Sequence, residues 1–218
     1  GVGGMGGANL KACATENIVA LCDVDDVYAA GAYKTYPNAK RFRDFRKMFD
    51  SDAKTFDAVI IATPDHTHAV IAMLAMQCGK HVYCQKPLAH NLHEVHTLTQ
   101  AAREYKVQTQ MGNQGHSSEQ IRRVREWIDD GAIGHVREVH AWSDRPVGGD
   151  PWSTFPITKR PADAPPVPDT LDWDLWLGPA KMRPYNPAYL PTTWRGWRDF
   201  GTGALGDMGC HILDPAFY

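Results

Sequence analysis

The stretch DAVIIATPDHTHAVIAMLAMQCGKHVYCQKPL, residues 57–88, decides the fold. DAVIIAT (57–63) carries five consecutive apolar residues, three of them β-branched, and reads as a buried strand. DHTHAVIAMLAMQCG (65–79) reads as a helix capped by Asp65 and stopped by Gly79. KHVYC (80–84) returns as a second strand. Strand, helix and strand at this spacing make a crossover unit, which places both strands parallel in one sheet with the helix on a face.

The same alternation extends in both directions. Upstream, 1–15 reads as a loop entering a helix, NIVALCDVD (17–25) as a strand, 26–36 as a helix, AKRF (39–42) as a weak strand and 44–51 as a short helix. Downstream, 91–105 is a helix opened by an Asn91/Glu94 capping box, and VQTQMG (107–112) is another strand. Residues 1–113 are thus expected to form a parallel α/β domain, with 114–218 as a second region. In that second part, 117–131 reads as a helix with Ser117 and Gln120 as its box and an apolar stripe at Ile121, Val124 and Ile128. HVREVHAWS (135–143) reads as a strand, and a last helix is expected near 204–213. Eleven of the fifteen prolines fall between 145 and 191, which argues against helix or central strand there. Trp152, Phe155, Trp173 and Trp176 make the same region too aromatic for disorder, so an ordered, packed loop is expected.

Composition narrows the function classes. The chain is 43% hydrophobic and 22% charged with a net charge of −2, which gives no electrostatic case for nucleic acid or an anionic membrane. The longest apolar runs are too short to span a bilayer. Five widely spaced cysteines (13, 22, 78, 84, 210) form neither a disulfide framework nor a zinc pattern, and four of them are expected as buried thiols.

The opening GVGGMG supplies G-x-G-x-x-G at Gly1, Gly3 and Gly6, with Gly4 and Met5 in the same turn. Such glycines allow a tight turn, close approach of backbone N–H groups to a pyrophosphate, and close helix–strand packing. The helix N-terminus then faces the phosphates. Asp23 ends the following strand, where a carboxylate accepts hydrogen bonds from the adenosine ribose and repels a 2′-phosphate. NAD is therefore expected over NADP. Thr63, Pro64 and Asp65 would lie beside the cofactor at the carboxyl edge of the sheet. His68 is a further cofactor-binding candidate beside them, and it and His66 read as packing or capping residues in preference to metal ligands.

Lys86 follows the next strand and is fixed by Pro87, and it and Gln85 before it are expected to touch the cofactor. A solvated loop lysine is the plain alternative. A partly desolvated lysine beside a nicotinamide could instead donate to a substrate oxygen or relay a proton. In GALGDMGCHILD (203–214), Asp207 and His211 are four residues apart and share a helical face, so the carboxylate could orient the ring. A capped helix with a core histidine, or a thin metal site with Asp214, are the competing readings, and no metal is expected. Trp194, Arg195, Trp197 and Arg198 precede that helix and could meet a sugar, although core packing of the tryptophans competes. Asn113, Gln114 and His116 enter the second half and are further substrate candidates.

Together GVGGMG, Asp23, ATPDHTH, CQKPL and GDMGCHILD resemble the Gfo/Idh/MocA family of NAD(P)-dependent oxidoreductases over the whole chain. The resemblance implies a Rossmann domain followed by an α/β domain on a mostly antiparallel sheet. It implies a carbohydrate or polyol substrate and a homo-oligomer in the full-length protein. Lys86 matches the family's E-K-P lysine, with Gln85 in place of the glutamate. Asp207 and His211 match its substrate-orienting aspartate and proton-transferring histidine. The resemblance also implies a strand ahead of Gly1, most of a second sheet beyond Tyr218, and an unstable fragment without them. The expected chemistry is reversible oxidation of a secondary alcohol. An NAD-dependent glycosidase that oxidises its sugar transiently, and a non-catalytic NAD- or sugar-binding module, are the alternatives. The cytoplasm is the default compartment, with periplasmic export as the other.

Overall fold

The computed structural model describes residues 1–145 and 159–218. Its strands are all parallel and form two pieces. The first pairs β1 (Ala20–Cys22) with β2 (Lys40–Phe42). The second runs β3–β4–β5, made of Ala58–Ile61, His81–Gln85 and Thr109–Gly112. Residues Gly1 and Val2 join the carboxyl ends of the two pieces. The Gly1 amine donates to the Cys22 carbonyl at 2.8 Å, and a methyl on Gly1 would lie 2.7 Å from the Ala62 carbonyl oxygen.

Helices cover the strands in the order expected: α1 (Gly4–Ala12), α2 (Asp26–Thr35), α3 (Phe45–Asp52), α4 (His68–Gln77) and α5 (Leu92–Glu104). Alanines 69, 72 and 75 bring α4 close onto the sheet, in a core with Ile61, Val82, Cys84, Leu98 and Met76. A second apolar cluster, Val2, Leu21, Ala29, Tyr33 and Ala39, fills the space under β1 and α2.

Several expectations need correction. Only Ile61 of β3 is fully buried, and Ile60 is 36% exposed. Asp65 does not cap α4: a short 3-10 turn, Asp65–Thr67, intervenes, and no side chain caps the helix. At α5, Asn91 accepts from the Glu94 amide as expected, but Glu94 reaches back to the His90 amide, one residue further out. The cap of α6 (Glu119–Asp129) is Ser118, not Ser117, and its apolar stripe is exposed at Val124 and Ile128 and only partly buried at Ile121. Residues 135–143 carry no strand, since no neighbouring strand among the described residues offers a ladder to satisfy their backbone. Of the cysteines only Cys84 is buried. Cys13, Cys22 and Cys210 are half-exposed and Cys78 is exposed, all as free thiols.

The proline-rich region packs as expected from Leu171 on, residues 161–170 are mostly exposed, and Trp152 and Phe155 lie outside the described residues. It also contains a five-residue helix, α7 (Trp173–Leu177), started by the Asp172 side chain. Trp173, Trp176, Tyr189, Trp194, Trp197 and Phe200 form one aromatic cluster, with Trp173 stacked on Trp176 at 4.9 Å. Aromatic burial on this scale stabilises a segment that lacks regular hydrogen bonding. The cluster lies against the first half of the chain: Asp172 N donates to Val24 O at 2.9 Å, and Asp26 N to Thr170 O at 3.0 Å. The chain continues into α8 (Gly203–Ile212) and α9 (Asp214–Phe217). Among the described residues no helix is long and apolar enough to cross a membrane.

Candidate active site at the carboxyl edge of the sheet

Three successive strand ends hold α8. After β3, the Asp65 carboxylate accepts from Thr202 N at 3.1 Å and from Thr202 Oγ1 at 2.8 Å, while His66 N donates to Phe200 O at 3.2 Å. After β4, His90 Nε2 lies 3.2 Å from Gly201 O. After β5, Asn113 Nδ2 donates to Cys210 O at 2.7 Å. Gly206 is what lets Thr202 turn toward Asp65, because a methyl there would overlap the Thr202 hydroxyl.

Lys86 meets this helix directly. It stands at the end of β4, where a cis peptide bond joins it to Pro87. Its ammonium donates to Asp207 Oδ1 at 2.5 Å and to Asp207 O at 2.6 Å, with 15% of the lysine side chain exposed. Two arginines flank the same carboxylate: Arg145 Nη1 at 3.4 Å from Oδ2 and Arg195 Nε at 3.4 Å from Oδ1. Burial pushes the Asp207 carboxyl upward, but the Lys86 hydrogen bond and the charges of Lys86, Arg195 and Arg145 outweigh it and hold the pKa below the usual value. His211 is one turn further along α8. Burial and then the Lys86 charge lower its pKa, against the pull of Asp207, so the ring is neutral near pH 7. The two residues share a face of α8, yet Asp207 accepts its hydrogen bonds from Lys86 and Arg145. Among the described residues the His211 ring has no hydrogen-bond partner.

The glycine turn adjoins this edge. α1 starts at Gly4, so Gly3 occupies the N-cap and the helix N-terminus opens at the turn. A methyl on Gly6 would sit well inside contact with the Gly1 carbonyl, which is the close packing the third glycine permits. The Tyr28 ring covers the side of Gly3 and Gly4 where side chains would project. Asp23 is buried, accepting from Val2 N at 2.8 Å through one oxygen and from Asp25 N at 3.1 Å through the other. Each oxygen retains a lone pair for a ribose hydroxyl. Helix N-terminus, glycine cradle and terminal carboxylate together fit a dinucleotide.

Other sequence candidates lie elsewhere. Gln85 turns away from Lys86 and donates to Asn9 Oδ1 on α1 at 3.3 Å, packed against Gly112. His68 is fully buried with its ring between Thr63 O at 2.9 Å and Pro87 O at 2.8 Å, tying the loops after β3 and β4 together. Thr63 also accepts from the Thr67 hydroxyl. Trp194 and Trp197 belong to the aromatic cluster, and Arg198 lines a separate cleft of about 510 Å³ with His90, Lys181 and Arg183. Gln114 reaches the Tyr83 hydroxyl, and His116 pairs with Asp214 at 2.9 Å, which takes Asp214 away from Asp207 and His211. Met5 is exposed on α1. One participant escaped sequence reading: Arg145 sits at the edge of the proline-rich region with no motif around it. Asp65, expected beside the cofactor and as a helix cap, has a carboxylate that instead accepts from Thr202, 137 residues along the chain, a partner that nothing in the local sequence indicates.

A parallel sheet with a glycine-turn helix, a terminal acidic residue and a lysine–aspartate–histidine group on its carboxyl edge defines a nucleotide-binding protein of the oxidoreductase class. Residues 1–113 match the model described as oxidoreductase family, NAD-binding Rossmann fold, and residues 117–218 the model described as oxidoreductase family, C-terminal alpha/beta domain. The chain belongs to the Gfo/Idh/MocA oxidoreductase family. It is 25% identical to levoglucosan dehydrogenase of Pseudarthrobacter phenanthrenivorans over 199 residues, covering 91% of this chain and 41% of that one. It is 27% identical to the rhizopine catabolism protein MocA of Rhizobium meliloti over 200 residues, covering 90% and 61%. In fold it is similar to scyllo-inositol dehydrogenase from Lactobacillus casei, solved with bound NAD(H) and scyllo-inositol (TM-score 0.56, 24% identity, 62% of this chain and 40% of that chain). The chain therefore spans less than two thirds of the length of each of these relatives, from 40% to 61%.

Proposed function

We propose that the protein oxidises a secondary alcohol of a sugar or polyol, with residues 1–113 as the cofactor half and 114–218 as the start of the substrate half. The observation that carries this is the Lys86–Asp207 contact at 2.5 Å, which joins the end of β4 to the helix bearing His211. NAD, when bound on the glycine turn and Asp23, supplies the hydride acceptor. Neutral His211 takes the proton of the substrate hydroxyl at a ring nitrogen. Lys86 stabilises the negative charge that develops on that oxygen. Asp207 fixes the ammonium by a charge-assisted bond and so acts on the lysine more than on the imidazole. The loops after β3 and β5 keep α8 in register with the sheet, which supports a geometry held before substrate arrives.

The test is a panel of sugars, polyols and aryl glycosides on the full-length enzyme, following NADH absorbance and sugar products together. Lasting NADH with a ketone or lactone product is the expected result. Released aglycone without net NADH would move the reading to a glycosidase. NAD binding with no turnover of any member would defeat both.

A further inference from the structure

Three cations, Lys86, Arg145 and Arg195, converge on the single carboxylate of Asp207. The other nearby acids are committed. Asp65 is buried, hydrogen-bonded by Thr202, and acts on Arg195 and Lys86 only through space, and Asp214 is paired with His116, so the three cations still outnumber the acids that face them. The contacts are unequal: Lys86 lies at 2.5 Å, whereas each arginine touches Asp207 through one nitrogen at 3.4 Å. Single long contacts leave most of the planar donor fork of a guanidinium uncommitted to that acid, and such a fork suits a second oxyanion in two parallel bonds. Arg195 is also held in orientation by Trp194, whose ring centre is 4.3 Å from the guanidinium carbon. A half-buried surplus of positive charge is costly unless an anion meets it. A neutral polyol offers none.

We infer that the substrate is an anionic sugar or polyol whose oxyanion group, carboxylate or phosphate, is gripped by Arg195 and Arg145 beside the reacting hydroxyl. The inference rests on the oxidoreductase reading and narrows its substrate class. Arg195 and Arg145 are specificity residues here, and the proton and hydride steps stay as assigned above.

Matched pairs test it on the full-length enzyme with NAD: glucose against glucuronate, sorbitol against gluconate, and glucose against glucose 6-phosphate. The expected result is a kcat/KM for an acidic member at least tenfold above its neutral partner, and the winning arm tells carboxylate from phosphate. In Arg195→Gln and in Arg145→Gln that ratio should fall roughly ten- to a hundredfold, the effect of one charged hydrogen bond. Arg195→Lys, which keeps the charge without the fork, should fall in between. Preference for the neutral members, or a ratio unchanged in both glutamine variants, overturns the inference. Should no pair be oxidised, the oxidoreductase reading fails first. Calorimetric titration of the NAD-loaded enzyme with gluconate and glucose 6-phosphate then decides the charge reading: binding weakened in Arg195→Gln supports it, and no binding overturns it.

Discussion

His66 gives the joint between the two halves a measurable pH dependence. Its ring is buried between Trp176 and Phe200, with its nitrogens 3.2 Å from the carbonyl oxygens of both residues. Burial lowers its pKa from 6.5 to about 4. The unfolded chain therefore binds a proton between those values that the folded chain refuses, and stability falls as pH drops. The contribution is fully present above pH 6.5 and is lost progressively toward the folded value. Integrated over that window, the folded state loses ~2 kcal/mol between pH 7 and pH 5 and ~3 kcal/mol by pH 4. Asp65, beside it, has a pKa raised by burial and contributes with the opposite sign, so a variant comparison is needed to isolate the histidine. His66→Gln keeps an amide donor for one carbonyl and cannot titrate. Urea unfolding at pH 7 and pH 5, followed by the fluorescence of the buried tryptophans, should show a stability loss on acidification in the parent that is larger by ~2 kcal/mol than in the variant. Equal losses, within ~0.5 kcal/mol, would refute the claim that a neutral, desolvated His66 locks the aromatic cluster onto the sheet edge.

Three further outcomes follow from the same contacts. Lys86→Met should lower kcat by roughly 10²- to 10⁴-fold while NAD affinity, measured by calorimetry, stays within a few-fold of the parent; near-full turnover would remove Lys86 from the chemistry. Gly6→Ala, which drives a methyl into the Gly1 carbonyl, should destabilise the fold by about 1–3 kcal/mol and weaken NAD binding. Gly7→Ala meets only Val2 O at 3.3 Å, so it should be much milder in the same melting and binding assays. Thr202→Val removes one donor to Asp65 and should cost about 1–2 kcal/mol in urea unfolding. It should also lower kcat more than it raises KM, because it loosens the start of the helix that carries Asp207 and His211.

The parallel half of the fold was legible because its signals are local. The β-branched run at 59–61, the alanine-rich face of α4 and the glycine turn each specify their own element. What failed depended on partners remote in sequence. HVREVHAWS alternates like a strand, but alternation makes a strand only where a neighbouring strand supplies a ladder. Trp194 and Trp197 looked equally suited to a sugar face and to a core, and the aromatic cluster took them. Asp207 and His211 were paired correctly as neighbours on α8, while the spacing could not reveal that a lysine 121 residues earlier would claim the carboxylate. Arg145 had no local signal, since its contact with Asp207 comes only from where the chain returns after α6.

The most direct measurement is the crystal structure of the full-length enzyme with NAD bound. The account predicts the pyrophosphate on the N-terminus of α1, a ribose hydroxyl on Asp23, and the nicotinamide ring in contact with Lys86 on the side facing His211. A nicotinamide lying away from the end of β4, with Lys86 and His211 on neither of its faces, would contradict it.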